Sequence, residues 1–199
     1  MSSFMFVEYA ENEFVRTPKY SPNDPMVDVQ CSLNSVKAKD AWDFWDIPNG
    51  VIPEGSQVLM ASVDTGVDYT HPDLQANSWI NQAEIPEFMA ETGLDEDDNG
   101  DVDASEIVNW MIVNNTGDLN ADGSVNLRDA VSDGSPFEDG VDNDENGYID
   151  DLLGWDCSGY YGTDDNDPYP KEDVANNSTW AHGTHVAGIL AATSDNNLG

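Results

Sequence analysis

Apolar positions fall in short runs separated by long polar stretches. "FMFVEYA" (4–10) is rich in aromatic and β-branched residues and predicts a strand. "QVLMASVDTGVD" (57–68) runs apolar and then turns at Thr65-Gly66, the pattern of a strand covered on both faces in a parallel sheet. "NSVKAKDAWDFW" (34–45) predicts a short helix capped by Asn34 or Ser35. "IVNWMIVNN" (107–115) predicts a second helix, and "HGTHVAGILAATS" (182–194) a third whose glycines and alanines let it sit close against a sheet. Three prolines in "RTPKYSPNDP" (16–25) mark a linker or extended arm. A first strand, a buried strand between turns and a final helix predict an α/β fold with a parallel sheet flanked by helices.

Charge changes this picture. The 199 residues carry 40 acids against 6 lysines and arginines, a net charge of -34, while 39% hydrophobic content fits a globular chain. Such a surface repels phosphates and anionic lipid, which argues against nucleic-acid or membrane partners. No run approaches the roughly 18 apolar residues of a membrane span. So many carboxylates call for cations, and calcium prefers oxygen ligands; a high-salt habitat is a blander source of some of the charge. Cys31 and Cys157 are too few for a disulfide scaffold and are expected to form either one bridge or two free buried thiols. The start, "MSSFMFVEYAENEF", lacks the basic end of a signal peptide.

The acids are concentrated. From Glu91 to Asp173 there are 25 of them and two basic residues, Arg128 and Lys171. "DEDDNGDVDASE" (95–106) places Asp95, Asp97, Asn99, Gly100 and Glu106 at positions 1, 3, 5, 6 and 12 of an EF-hand calcium loop. Alternate side chains of a tight loop converge on one ion, the glycine permits the turn, and the last carboxylate closes the shell. "DLNADGSVNLRD" (118–129) repeats the pattern with Asp118, Asn120, Asp122, Gly123 and Asp129. "DNDENGYIDDLL" (142–153) has Asp142, Asp144, Asn146 and Gly147 but Leu153 last, so Asp150 or Asp151 is expected to supply the missing oxygens. Asp101, Ser124 and Tyr148, seventh in each loop, complete the candidate metal set. An acidic solvated turn explains one such loop easily and three in series poorly.

Two histidines, His182 and His185, stand three apart without the glutamate of a zinc-protease helix, which disfavours zinc. Asp64 ends the apolar run of "ASVDTGVDYTHPDL" (61–74), at the strand edge where open α/β sheets place ligands. Together "VDTGVD" and "HGTHVAG" resemble the aspartate and histidine motifs of subtilisin-like serine proteases. The resemblance implies that Asp64 orients and stabilises the imidazole of His182, that His182 is general base and then general acid, and that His185 is structural. It also implies that "FVEYAENEFV" ends an inhibitory propeptide, here the segment 1–19 with its linker. Residues 20–199 would then be the N-terminal part of the catalytic domain, and 87–138 an insertion carrying the first two calcium loops. Loop two further resembles a dockerin repeat. In related proteases an N-terminal aspartate, the aspartate of "HPDL" and the loop after the histidine helix share an ion, which implies Asp24, Asp73 and Asn196 with the carbonyls of Thr193 and Leu198.

The resemblance implies a secreted, calcium-dependent endopeptidase that acts on polypeptides and is inhibited by its own propeptide. The "GTSMA"-like stretch that carries the nucleophilic serine does not occur, so the chain reads as a fragment expected to be inactive alone. Two other readings remain open at this point: a calcium-binding docking or adhesion module, and a truncated pseudoprotease.

Overall fold

The structure is a computed structural model that describes residues 21–42, 58–158, 164–171 and 180–198. The expected strand at 4–10 and the propeptide-like segment 1–19 lie outside the described residues. Helix α1 (Cys31–Val36) and helix α2 (Ala38–Trp42) replace the single helix expected from residue 34. The break is Lys37, held in the left-handed region at φ 57°. The helix starts before Asn34 and Ser35, so neither caps it, and no side chain caps the preceding Gln30 position.

Helix α3 (Ala104–Val113) begins three residues before the expected 107 because Asp103 caps it. The Asp103 carboxylate accepts from the N–H groups of Ser105 and Glu106, and Glu106 accepts in return from Asp103 N–H. Asn126 and Asp129 form the same reciprocal box ahead of the short turn Leu127–Val131. Ile107 and Met111, one helical turn apart, are buried with Met89, Leu127, Phe137 and Leu152. Trp110 packs edge-on to Phe137 with ring centroids 5.8 Å apart. This core draws mostly on residues 87–138 and gains Tyr69, Ile80 and Leu152 from outside that span.

The parallel sheet expected from the sequence is absent among the described residues. Their one β pairing is an isolated antiparallel bridge between Asp156 and Asp165. Residues 58–63 form no strand and are exposed, Val63 to 99%. An apolar strand is stable only where neighbouring strands take up its N–H and C=O groups, and no described segment does so here.

Helix α4 (His182–Ala191) stops short of the expected residue 194, and Thr193 N–H donates to the Asp73 carbonyl at 2.8 Å. Its N-terminus has alanine at the cap position, so the cap comes from elsewhere: Thr65 Oγ1 accepts from Gly183 N–H at 3.0 Å and donates to the Trp180 carbonyl at 3.0 Å. Thr184 Oγ1 accepts from Asp68 N–H at 2.9 Å. These bonds lay the turn 64–68 directly on the start of α4. The approach is so close that a methyl group at Gly183 would overlap the Gly66 carbonyl oxygen. On its other side Gly66, at φ +96°, lies against Pro168 and Pro170.

Two outcomes follow from this packing. Ile107→Ala is expected to cost about 2–5 kcal/mol in urea unfolding, whereas Val63→Ala, at an exposed position, is expected to change stability by less than about 0.5 kcal/mol. Gly183→Ala is expected to push the 64–68 turn off α4, read by NMR as loss of the hydrogen-bonded His182 Nδ1 proton while the α3 core signals persist.

Candidate active site and acidic loops

The turn and helix just described bring together two side chains 118 positions apart. Both carboxylate oxygens of Asp64 lie 2.8 Å from Nδ1 of His182. Thr65 N–H also donates to Asp64 Oδ1, at 2.7 Å. The Asp64 side chain is tucked in at 17% exposure, and the imidazole stands out at 66%. The hydrogen bond with His182, followed by that from Thr65 N–H, holds the Asp64 carboxyl below its ordinary value. A depressed carboxylate contributes stability that is present above its unfolded pKa and lost as pH falls through the folded one. Any stability the pair contributes is therefore lost only as pH falls through that lowered value. With Nδ1–H committed to the carboxylate, Nε2 is the nitrogen left to take a proton, and the resulting imidazolium would sit against a negative charge. A cavity of about 530 Å³ borders Asp64, walled by Trp155, Tyr169 and Trp180. His185, expected to be structural, is exposed on α4.

The sequence pointed to Asp64, His182, Gly183 and Thr184 but missed Thr65, whose hydroxyl caps the catalytic-looking helix from the partner motif. The signal was a threonine directly after the aspartate.

The three acidic loops share one hydrogen-bond scheme. The first carboxylate of each accepts from the fifth and sixth N–H groups: Asp95 from Asn99 (3.1 Å) and Gly100 (2.9 Å), Asp118 from Asp122 (3.1 Å) and Gly123 (2.9 Å), Asp142 from Asn146 (3.0 Å) and Gly147 (2.8 Å). The fifth side chain accepts from the seventh N–H: Asn99 from Asp101, Asp122 from Ser124, Asn146 from Tyr148. In loops one and two the twelfth carboxylate reaches back to the third and ninth N–H groups. Glu106 takes those of Asp97 (3.3 Å) and Asp103 (2.9 Å), and Asp129 those of Asn120 (3.1 Å) and Asn126 (2.8 Å).

Loop three corrects an expectation. Asp150 does not close it. At φ 56° its carboxylate turns away to accept from Asp139 and Gly140 N–H. Glu84, from the distant turn Gln82–Glu84, takes the closing place instead, accepting from Asp144 N–H at 2.9 Å and Asp150 N–H at 3.1 Å. Those are the third and ninth amides of the loop. Glu84 is wholly enclosed, and burial lifts its carboxyl above the ordinary value against the opposing N–H of Asp144. Asp151, the other expected closer, stays at the loop and accepts from Asn146 Nδ2 at 3.1 Å. Oxygens of Glu84, Asp144 and Asp151 fall within 4.8 Å of one another, as do those of Asp95, Asp97 and Glu106. These oxygen-only sets suit a hard divalent cation such as calcium rather than a soft metal. Asp24, Asp73 and Asn196 also meet: Asn196 Nδ2 donates to Asp73 Oδ1 at 2.6 Å, and Asn196 N–H to Asp24 Oδ1 at 3.1 Å.

Comparison with known proteins agrees with the motifs. Subtilisin-like protease 1 of Plasmodium berghei is 45% identical over 96 residues, 48% of this chain and 14% of that protein. Halolysin of Haloferax mediterranei is 28% identical over 193 residues, 97% of this chain and 21% of that protein. The extracellular basic protease of Dichelobacter nodosus is 28% identical over 196 residues, 97% of this chain and 22% of that protein. The chain thus spans between a seventh and a quarter of the length of these relatives. No solved structure matches it. The family model described as the subtilase family covers residues 55–199, which include both the Asp64 turn and α4, and the chain belongs to that family.

Proposed function

We propose that the chain is the N-terminal part of a secreted, calcium-dependent subtilisin-like serine endopeptidase. The observation that carries this reading is the 2.8 Å contact between Asp64 and His182 Nδ1 within the subtilase-matching segment. Asp64 would hold the imidazole in its Nδ1–H form and stabilise its charged state. His182 Nε2 would take the proton of a serine hydroxyl and return it to the leaving amine. The serine is assigned to sequence beyond these residues, in keeping with the share of its relatives that the chain spans. The segment 1–19 is assigned to an inhibitory propeptide and 20–199 to the catalytic domain. Secretion draws support from a relative named as extracellular.

Calcium is assigned to four places. Loop one uses Asp95, Asp97, Asn99, Asp101 and Glu106, and loop two Asp118, Asn120, Asp122, Ser124 and Asp129. Loop three uses Asp142, Asp144, Asn146, Tyr148 and Asp151 with Glu84 in place of Asp150. The fourth place lies among Asp24, Asp73 and Asn196. A free docking module is the weaker reading, because the buried cluster of the insertion 87–138 is continuous with Tyr69, Ile80 and Leu152 outside it. Bound calcium would stabilise the fold by about 2.7 kcal/mol per site at a hundredfold excess over Kd.

The isolated 199 residues are expected to cleave no labelled casein. Joined to a downstream segment carrying the serine, they are expected to do so, with His182→Ala lowering kcat roughly 10⁶-fold; turnover by the isolated chain that His182→Ala abolishes would sink the fragment reading. Calorimetric calcium titration separates the closer of loop three, Glu84, from Asp150, which turns away from it. Glu84→Gln is expected to remove one bound ion, and Asp150→Asn to lower stability without changing the number bound.

A further inference from the structure

Positive charge is scarce in this protein, so where it goes is informative. The two basic residues between Glu91 and Asp173 both converge on Asp167. Arg128 does so with a fork: Nε lies 3.1 Å and Nη2 3.0 Å from Asp167 Oδ2. Its guanidinium also lies over the Tyr169 ring, 4.1 Å from the centroid. Lys171 stands farther off, 3.8 Å from the same oxygen, and is closer to Asp165 at 3.1 Å. The other oxygen of Asp167 accepts from the Tyr69 hydroxyl at 2.6 Å.

Arg128 belongs to the insertion. Its own N–H donates to Asn126 Oδ1, and its neighbour Asp129 closes the second acidic loop. Asp167 belongs to the short strap 164–171. That strap backs the Asp64 turn: the Pro168 carbonyl accepts from Val67 N–H at 3.1 Å, and Pro168 and Pro170 lie against Gly66. The far side of the same turn carries Asp64, Thr65 and the contact with His182. A contiguous series of contacts thus runs from loop two through Arg128, Asp167 and Pro168 to the catalytic-looking pair.

We propose that Arg128 is a positioning residue: by clamping Asp167 it presses the strap 164–171 against the 64–68 turn and so holds Asp64 on His182. The inference rests on the reading of Asp64 and His182 as the catalytic pair. It gives the insertion a role at that pair that ion binding in the loops would not by itself supply. Two N–H donors converging on one carboxylate oxygen, with the guanidinium over an aromatic ring, make a geometry that lysine does not reproduce, so the full clamp depends on arginine at this position.

The test uses the full 199-residue chain in calcium-containing buffer, with NMR of the His182 Nδ1 proton and of the Ile107 and Met111 methyl groups. Arg128→Met is expected to broaden or abolish the His182 proton signal while the methyl shifts stay in place. Arg128→Lys is expected to restore part of it. Asp167→Asn, which breaks the same clamp from the other side, should reproduce the Arg128→Met spectrum, and the double variant should lose no more than either single one. An unchanged His182 signal in folded Arg128→Met and Asp167→Asn overturns the proposal. So does movement of the His182 and core methyl signals together, which would make Arg128 a general strut. Asp64→Asn is the control for the underlying reading. If it leaves the His182 signal intact, the pair itself is wrong and the positioning role falls with it, an outcome separate from the failure of Arg128→Met.

Discussion

A carboxylate gathering backbone N–H groups is the interaction on which this structure depends. With 40 acids against 6 basic side chains, pairing cannot neutralise the chain. Self-repulsion at this density opposes any compact state. The loops answer by turning amide dipoles inward, so each first-position aspartate takes two N–H groups and the closing carboxylates of loops one and two take three each. Charge-assisted hydrogen bonds of this kind are about twice as strong as neutral ones. They order the oxygens into sets that a divalent cation fits, and the closing carboxylates Glu106 and Asp129 also supply the return arm of the capping boxes at α3 and at Leu127–Val131. The hydrophobic core packs on those capped elements, and the exposed apolar segment 58–63 lies outside it.

What was legible in the sequence follows from the range of the forces involved. Loops one and two are local: every ligand falls within twelve residues, so spacing alone displays them. Loop three shares the first seven positions and then departs. Its ninth residue, Asp150, sits at φ 56°, whereas Asp103 and Asn126 are extended caps with helical turns behind them. With no helical turn to carry a twelfth carboxylate back, the vacancy is filled from 60 positions away by Glu84, donated to by Asp144 N–H. Nothing near Glu84 announces this except an acid set between Ala83 and Ile85.

The sheet was illegible in a different way. The pattern at 57–68 reads as a strand covered on both faces, whereas the described residues 58–63 are exposed and unpaired; membership of the subtilase family nonetheless implies an α/β fold. Yet a strand is a relation between segments rather than a property of one, and no described segment supplies the ladder. Helix α1 failed for a local reason, since the left-handed Lys37 divides a continuous amphipathic run.

The pair Asp64–His182 forms although no sheet holds it among the described residues. Its geometry is fixed by a few short-range clamps: the Thr65 hydroxyl on Gly183, the Asp68 N–H on Thr184, and a glycine–glycine contact that admits no side chain. Each acts between the turn and the first turn of α4, so the alignment needs only those two pieces and whatever presses them together. In a complete parallel sheet that pressure would come from neighbouring strands. Among the described residues it comes from the opposite side, where Pro168 and Pro170 bear on Gly66 and Arg128 anchors Asp167. Separating alignment from support in this way explains how the motif can keep its geometry while more than a hundred residues, acidic for much of their length, lie between its two halves. Those intervening residues bear on the turn from behind and leave the clamps untouched.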